Sequence, residues 1–336
     1  MTKTTIYDIA KAANCSAATV SLALNNSNRI KPETKQHILS IADQLNYVPN
    51  YVAKSLISST TNSIGLIVPN VENPLFSMMI SGIENYANNN GYNIILGLTE
   101  ADEQREDFYL DMLQRRQVDG LILFPSFLDT LKEKLNRLNT LPHTPIVLCG
   151  SSGNRASDIS YVKCDNRIGS YSAISHLISI GRRKIGCLFP AVTHAQFESR
   201  MTGYKDALYY HNIPFDEALI KICQPDTYSI LNATKELLEQ QNPDGIFCLY
   251  DYAAISVMRA ILFTGRRIPE DVALIGYDNI QISNCLPIPL STIDTHGYEV
   301  GQQAAKILID KIINHDSLCQ QIVLKPDLVV RDSTYQ

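Results

Sequence analysis

From Asn62 onward the chain alternates short β-rich runs with amphipathic helical runs, and this rhythm constrains the fold more than any other feature. Strands read at Ser63–Val68, Tyr92–Leu98, Gly120–Phe124, Pro145–Leu148, Tyr161–Lys163, Ile185–Phe189, Gly245–Leu249 and Val272–Tyr277. Helices fit between them, at Pro74–Asn89, Gln104–Arg115, Arg167–Ile180, Arg200–His211, Ile230–Gln240 and Tyr252–Thr264. Strict alternation implies parallel sheets with helices on both faces. About eight such units exceed one small sheet, so two lobes are expected, with ligands at the carboxyl ends of the strands.

The first sixty residues follow a different pattern. Thr5 can cap a helix that buries Ile6, Ile9, Ala10 and Ala13, with Asp8 meeting its free N–H groups. Ser16 can cap a second helix burying Val20, Ala23 and Leu24. Pro32 suits the first position of a third, with Ile38, Ile41, Ala42 and Leu45 inward. Two short helices around a tight turn and a third packed across them is the helix-turn-helix plan, whose second helix enters the major groove. A generic three-helix domain would share the pattern. Charge points the same way: residues 1–60 hold six Lys and Arg against three Asp and Glu, leaving −8 of the net −5 on the rest. Only the head suits a polyanion.

Several function classes lose support. After the strand Ser63–Val68 there is no GxGxxG, and the chain holds no Walker motif, GxSxG or HExxH. No nucleophile–base constellation is visible, so no catalytic residues are assigned and no enzyme is expected. The eight cysteines stand apart without a CxxC, so neither a metal site nor a cofactor is expected. The opening MTKTTIYDIAKAA lacks the apolar core of a signal peptide, and no apolar run nears bilayer length. A cytoplasmic protein without membrane contact is expected.

Three runs then carry a family likeness: Thr5-Ile6-Tyr7-Asp8-Ile9-Ala10, Cys15-Ser16-Ala17-Ala18-Thr19-Val20-Ser21 and Asn46-Tyr47-Val48-Pro49-Asn50. Further runs are Gln117–Ile122, Gly181–Gly186 and Ile268–Asn279. Together they resemble the LacI/GalR family of bacterial transcription regulators over nearly the whole chain. The resemblance implies a small all-α helix-turn-helix head plus an α/β, two-lobed, periplasmic-binding-protein-like (type I) effector domain. It places the head at 1–49, a hinge helix or linker at 50–60 and the effector domain at 61–336. The N-lobe would take about 61–162 and 293–322, the C-lobe about 163–292 and 323–336.

The implied function is a DNA-binding transcriptional regulator, a repressor, that grips a pseudo-palindromic double-stranded operator as a homodimer. A small-molecule effector in the cleft between the lobes would switch it. The DNA face would comprise Thr5, Tyr7, Ser16, Ala17, Ala18, Thr19, Ser21, Leu22, Asn25, Arg29 and Tyr47, with Asn50, Ala53, Lys54 and Leu56 in the hinge. Leu56 would be the wedge that kinks the duplex at the minor groove. Leu22 departs from the family, which often has arginine there; leucine cannot grip guanine, so thymine methyls and DNA shape are the expected readout. Effector contacts fall on Phe76, Ser126, His194, Arg200, Tyr228, Tyr250 and Asp278. Arg200 is expected to open its helix, and Tyr250 departs from the usual asparagine of the family. A carbohydrate is the favoured effector, since hydroxyls both donate and accept. A purine-type corepressor, a phosphocarrier protein as effector, and a solute receptor without DNA binding are the alternatives.

Overall fold

The computed structural model describes residues 4–24, 27–47, 60–100, 102–114, 118–126, 130–131, 133–134, 145–150, 159–190, 195–315 and 318–335. The chain divides into two compact units, Met1–Thr61 and Asn62–Gln336. The first holds three helices: α1 (Ile6–Ala12), α2 (Ala17–Leu24) and α3 (Pro32–Gln44). The Asp8 carboxylate accepts the Thr5 backbone N–H at 2.8 Å and its hydroxyl at 2.7 Å, which starts α1. Ser16 Oγ accepts the Thr19 backbone N–H at 3.1 Å and starts α2. Pro32 sits in the first turn of α3, where a missing N–H costs nothing. Ile9, Ala10, Val20, Ala23, Ile38 and Ala42 form the core of the head. Leu45 differs from expectation: it lies beyond the last turn of α3 and is exposed.

In the second unit, β1 (Ser63–Val68), β2 (Asn93–Leu98), β3 (Gly120–Leu123), β4 (Ile146–Cys149) and β5 (Ser160–Cys164) alternate with α4 (Pro74–Asn89) and α5 (Glu103–Gln114). Next come α6 (Asn166–Ser179), β6 (Ile185–Pro190), α7 (Ala195–Tyr210), β7 (Ile220–Cys223), α8 (Thr227–Gln241), β8 (Gly245–Cys248), α9 (Asp251–Phe263) and β9 (Ala273–Ile275). The chain closes with β10 (Thr292–Asp294), α10 (Gly297–Asn314), β11 (Gln321–Leu324) and β12 (Asp327–Val329).

Two parallel sheets result. One runs β11-β5-β4-β3-β1-β2, the other β7-β6-β8-β9. Residues alternate between faces along each strand. Ile122 thus joins Leu66, Val147 and Val162 on the side packed against α4 and α10, whereas Leu121 and Leu123 join Leu110 on the other. Burial on both faces explains why the central strands are uninterrupted apolar runs. The N-lobe strands β5 and β11 run to Cys164 and Leu324, two residues past the expected crossings. β10 and β12 pair antiparallel where the chain crosses between the lobes.

Four strands, β7, β10, β11 and β12, escaped the sequence reading, as did α10. β7 and β11 are edge strands with only partly buried side chains, and β10 and β12 are three residues each. Helix α7 begins at Ala195, so Arg200 stands in its second turn and does not open it. No helix among the described residues is long and apolar enough to cross a membrane.

Candidate functional site

In the C-lobe, the ends of three parallel strands bring a charged cluster together. Arg200 from α7 is 2% exposed and Asp278, three residues past β9, is 1% exposed. A guanidinium offers five N–H groups. Nε donates to Asn166 Oδ1 at 2.9 Å, Nη1 to the Leu249 carbonyl and Nη2 to Asp278 Oδ1 at 3.0 Å. Its planar face lies 3.7 Å from the Tyr277 ring centroid, and Phe197 approaches at 5.6 Å. This stacking and its three acceptors hold Arg200 in one orientation. Two of its N–H groups and the Asp278 Oδ2 atom have no partner among the described residues.

Asp278 has φ +107° and the next residue, Asn279, φ +50°. A non-glycine residue in such a conformation costs about 1–3 kcal/mol and persists only when its surroundings enforce it. Here the Asp278 N–H donates to the Ile293 carbonyl at 2.8 Å, and the Asn279 N–H to Thr292 Oγ1 at 3.3 Å. Both acceptors lie on the crossing strand β10.

Beneath this pair is a second buried carboxylate, Asp251, which follows a strand end next to Tyr250. Asp251 accepts from Thr292 Oγ1 at 2.6 Å, Ser283 Oγ at 2.7 Å and the Ile280 N–H at 3.0 Å. Burial, reinforced by Asp278, pushes its carboxyl up to about 7. Burial likewise lifts Asp278 to about 6, against the pull of Arg200. Both folded-state values exceed those of the unfolded chain, so the stability they contribute is full below about pH 4 and lost as pH rises through about 6 and 7. The stability of the wild-type chain relative to Asp251→Asn should therefore fall by roughly 1.4 kcal/mol per pH unit between about pH 5 and 7, and then level off. Denaturant titrations at four pH values check this; a constant difference would show that Asp251 is ionised throughout.

The other expected contacts fall as follows. Tyr250 is 9% exposed at the N-cap of α9, its ring 6.3 Å from Phe197. Its hydroxyl makes no hydrogen bond among the described residues, and burial pushes it up. Phe189 lies 6.1 Å from Phe197, which extends the aromatic wall. Tyr228 is 75% exposed in the first turn of α8. From the N-lobe, Phe76 is half-buried in the first turn of α4, edge-on to Phe124 at 5.8 Å. Ser126 is buried, and its Oγ has no hydrogen-bond partner among the described residues. Its backbone N–H donates at 3.4 Å to Glu106, a fully buried carboxylate that Lys134 pairs at 3.0 Å. Burial pushes the Glu106 carboxyl up in spite of that pairing. His194 lies outside the described residues. Asn166, the first residue of the helix after β5, follows a strand end, and that signal could have found it.

In the head, Tyr7 is 74% exposed, and Thr5, Ser16, Ala18 and Arg29 are exposed. Thr19, Ser21 and Leu22 are half-buried. Two expected contacts also serve the fold: Ala17 and Tyr47 pack against the head core. Ser16 Oγ and Thr19 Oγ1 bond each other at 2.9 Å, and the Thr5 hydroxyl is held by Asp8. Asn25, Asn50, Ala53, Lys54 and Leu56 lie outside the described residues. No grouping of His, Cys, Asp and Glu that could hold a metal occurs among the described residues.

Comparison with known proteins agrees with this division. The family model "Bacterial regulatory proteins, lacI family" matches residues 5–50, and "Periplasmic binding proteins and sugar binding domain of LacI family" matches 61–326. The transcriptional repressor PurR of Aliivibrio salmonicida (strain LFI1238) is 32% identical over 333 residues, covering 99% of each chain. The transcriptional regulator CelR in complex with cellobiose superposes with TM-score 0.74 at 25% identity, over 98% of this chain and 100% of that one. The lac repressor dimer bound to operator and the anti-inducer ONPF superposes with TM-score 0.89 at 22% identity over the full length of both, a likeness of fold.

Proposed function

The chain belongs to the LacI family of bacterial regulatory proteins, a family of transcriptional regulators rather than enzymes, and from that membership we propose a specific division of labour. The head binds operator DNA through α2, the chain acts as a repressor and a homodimer in the cytoplasm, and a carbohydrate in the interlobe cleft switches it. The unsatisfied hydrogen-bonding capacity around Arg200 and Asp278 carries the effector reading. Two N–H donors, one carboxylate oxygen, the Tyr250 hydroxyl and the Ser126 hydroxyl suit a ligand whose groups both donate and accept. The cellobiose bound by CelR supports a sugar.

A purine base is the second reading. The aromatic wall of Phe189, Phe197 and Tyr250 offers flat faces, and the similarity to PurR favours it. The dimer reading draws on exposed apolar side chains: Ile95 and Leu96 on the edge strand β2, Ile222 on the edge strand β7, and Phe263 on α9. A lone head makes few contacts, and pairing heads raises affinity through effective concentration.

The test is a thermal-shift screen against ribose, cellobiose, glucose 6-phosphate, adenine, guanine and hypoxanthine. A ligand at a hundred times its Kd stabilises by about 2.7 kcal/mol. A sugar hit abolished by Asp278→Asn is the expected result. A purine hit would overturn the carbohydrate reading alone, and a hit unaffected by Asp278→Asn would remove the cleft assignment.

A further inference from the structure

Asn279 follows the cleft carboxylate, and its side chain spans two other segments. Its Nδ2 donates to Asp294 Oδ2 at 2.8 Å, and its Oδ1 accepts from Arg331 Nη2 at 2.7 Å. Asp294 ends the crossing strand β10. Its other carboxylate oxygen, Oδ1, accepts the His296 backbone N–H at 2.7 Å, the residue that caps α10. Arg331 is anchored in turn, donating to the Leu290 carbonyl at 2.6 Å. One amide therefore ties the loop bearing Asp278 to the start of an N-lobe helix.

Helix α10 is in turn locked to α4. A Cβ on Gly301 would meet the Met79 carbonyl oxygen at 2.0 Å, and one on Gly82 would meet the Tyr298 carbonyl oxygen at 2.0 Å. Two backbones this close cannot slide without separating, because packed interfaces are not continuously deformable. The route from Asp278 to α4 is thus short: two hydrogen bonds to Asp294, then a rigid helix pair.

We propose that Asn279 is a positioning residue that couples the cleft carboxylate Asp278 to the N-lobe through its hydrogen bond to Asp294. The link rests on the reading of Asp278 as an effector contact for its purpose, but it exists in the chain without ligand. A change in the charge or partners of Asp278 moves the Asn279 amide, Asp294 follows, and the first turn of α10 tightens or loosens. An asparagine suits the position because it donates to one side and accepts from the other, and tolerates positive φ. Aspartate would keep the Arg331 acceptor but repel Asp294.

The coupling is measured by hydrogen exchange of the amides at residues 296–301 in the full-length chain. The proteins compared are wild type, Asp278→Asn, Asn279→Asp, the pair of these, and the reciprocal exchange Asn279→Asp with Asp294→Asn. Asp278→Asn should change the exchange rates several-fold in the wild-type background and not at all in the Asn279→Asp background. The reciprocal exchange restores a donor facing a carboxylate, with donor and acceptor swapped, and should restore both protection and sensitivity to Asp278→Asn. An equal response to Asp278→Asn in both backgrounds, or none in wild type, would overturn the link. Should Asn279→Asp lose its cooperative thermal transition, Asp294→Ala takes its place in the same comparison.

The thermal-shift screen separates this link from the cleft reading. Ligand stabilisation lost in Asp278→Asn, with exchange unresponsive, removes the link and leaves the cleft assignment. The expected exchange pattern, with ligand stabilisation retained in Asp278→Asn, does the reverse.

Discussion

Arg200→Ala should destabilise the chain by about 3–5 kcal/mol, the usual cost of removing one partner from a buried ion pair. The loss exceeds that of the hydrogen bonds, because it strands Asp278 at 1% exposure beside a second buried carboxylate, Asp251. The Asn166 carboxamide and the Leu249 carbonyl lose their donors as well. Arg200→Met with Asp278→Asn should recover much of the loss, since neither member of the ion pair is left charged without its partner and the volume is largely kept. Urea titrations of the three proteins at pH 7.5 measure the effect. A cost below about 1 kcal/mol for Arg200→Ala would mean that water reaches the site and solvates Asp278, contrary to its burial.

Gly301→Ala should also be strongly unfavourable, although alanine is the better helix former by about 1 kcal/mol. The added methyl would lie 2.0 Å from the Met79 carbonyl oxygen, and that atom belongs to helix backbone and cannot rotate aside. Helices α4 and α10 must part, which opens the cluster containing Met79, Ile83, Val300 and Ala304. Overpacking of this kind costs about 1–3 kcal/mol, and the backbone contact puts the expected value near the upper end. Gly82→Ala should behave alike, and the double variant should cost less than the sum, because one separation relieves both clashes. Thermal unfolding of the three variants reads this out; an unchanged or raised Tm for Gly301→Ala would show that the helices are not locked there.

The elements that could be read from sequence are those whose signals are local. Thr5, Ser16 and Pro32 each sit at a helix start for reasons contained within four residues, and all three open helices in the structure. The apolar runs Ile64–Val68 and Gly120–Leu123 announce buried parallel strands by their own composition. Leu45 shows the limit of periodicity: it continues the apolar stripe of α3 but lies past the last helical turn, so the stripe has nothing there to face.

The edge strands and the site depended on distant partners. β7 and β11 carry the polar and apolar residues of half-exposed edges, so their alternation is weak. β10 and β12 exist because segments more than thirty residues apart lie side by side at the crossing. Within the site, Arg200 and Asp278 were legible from strand ends and family likeness. Asn166, Asn279 and Arg331 were not, since their roles are hydrogen bonds to residues 34, 15 and 52 positions away.

The sequence by itself thus determined the class of the chain: a three-helix head, an alternating body of parallel sheets, and charged residues at strand ends. These follow from periodicity, capping and turn chemistry, which act over a few residues. Tertiary structure alone decided how deeply Arg200 and Asp278 are buried, which groups already occupy them, and how Asp278 is wired to the crossing strand. Burial and hydrogen-bond partnership are properties of neighbours in space, and those neighbours come from five separate segments of the chain.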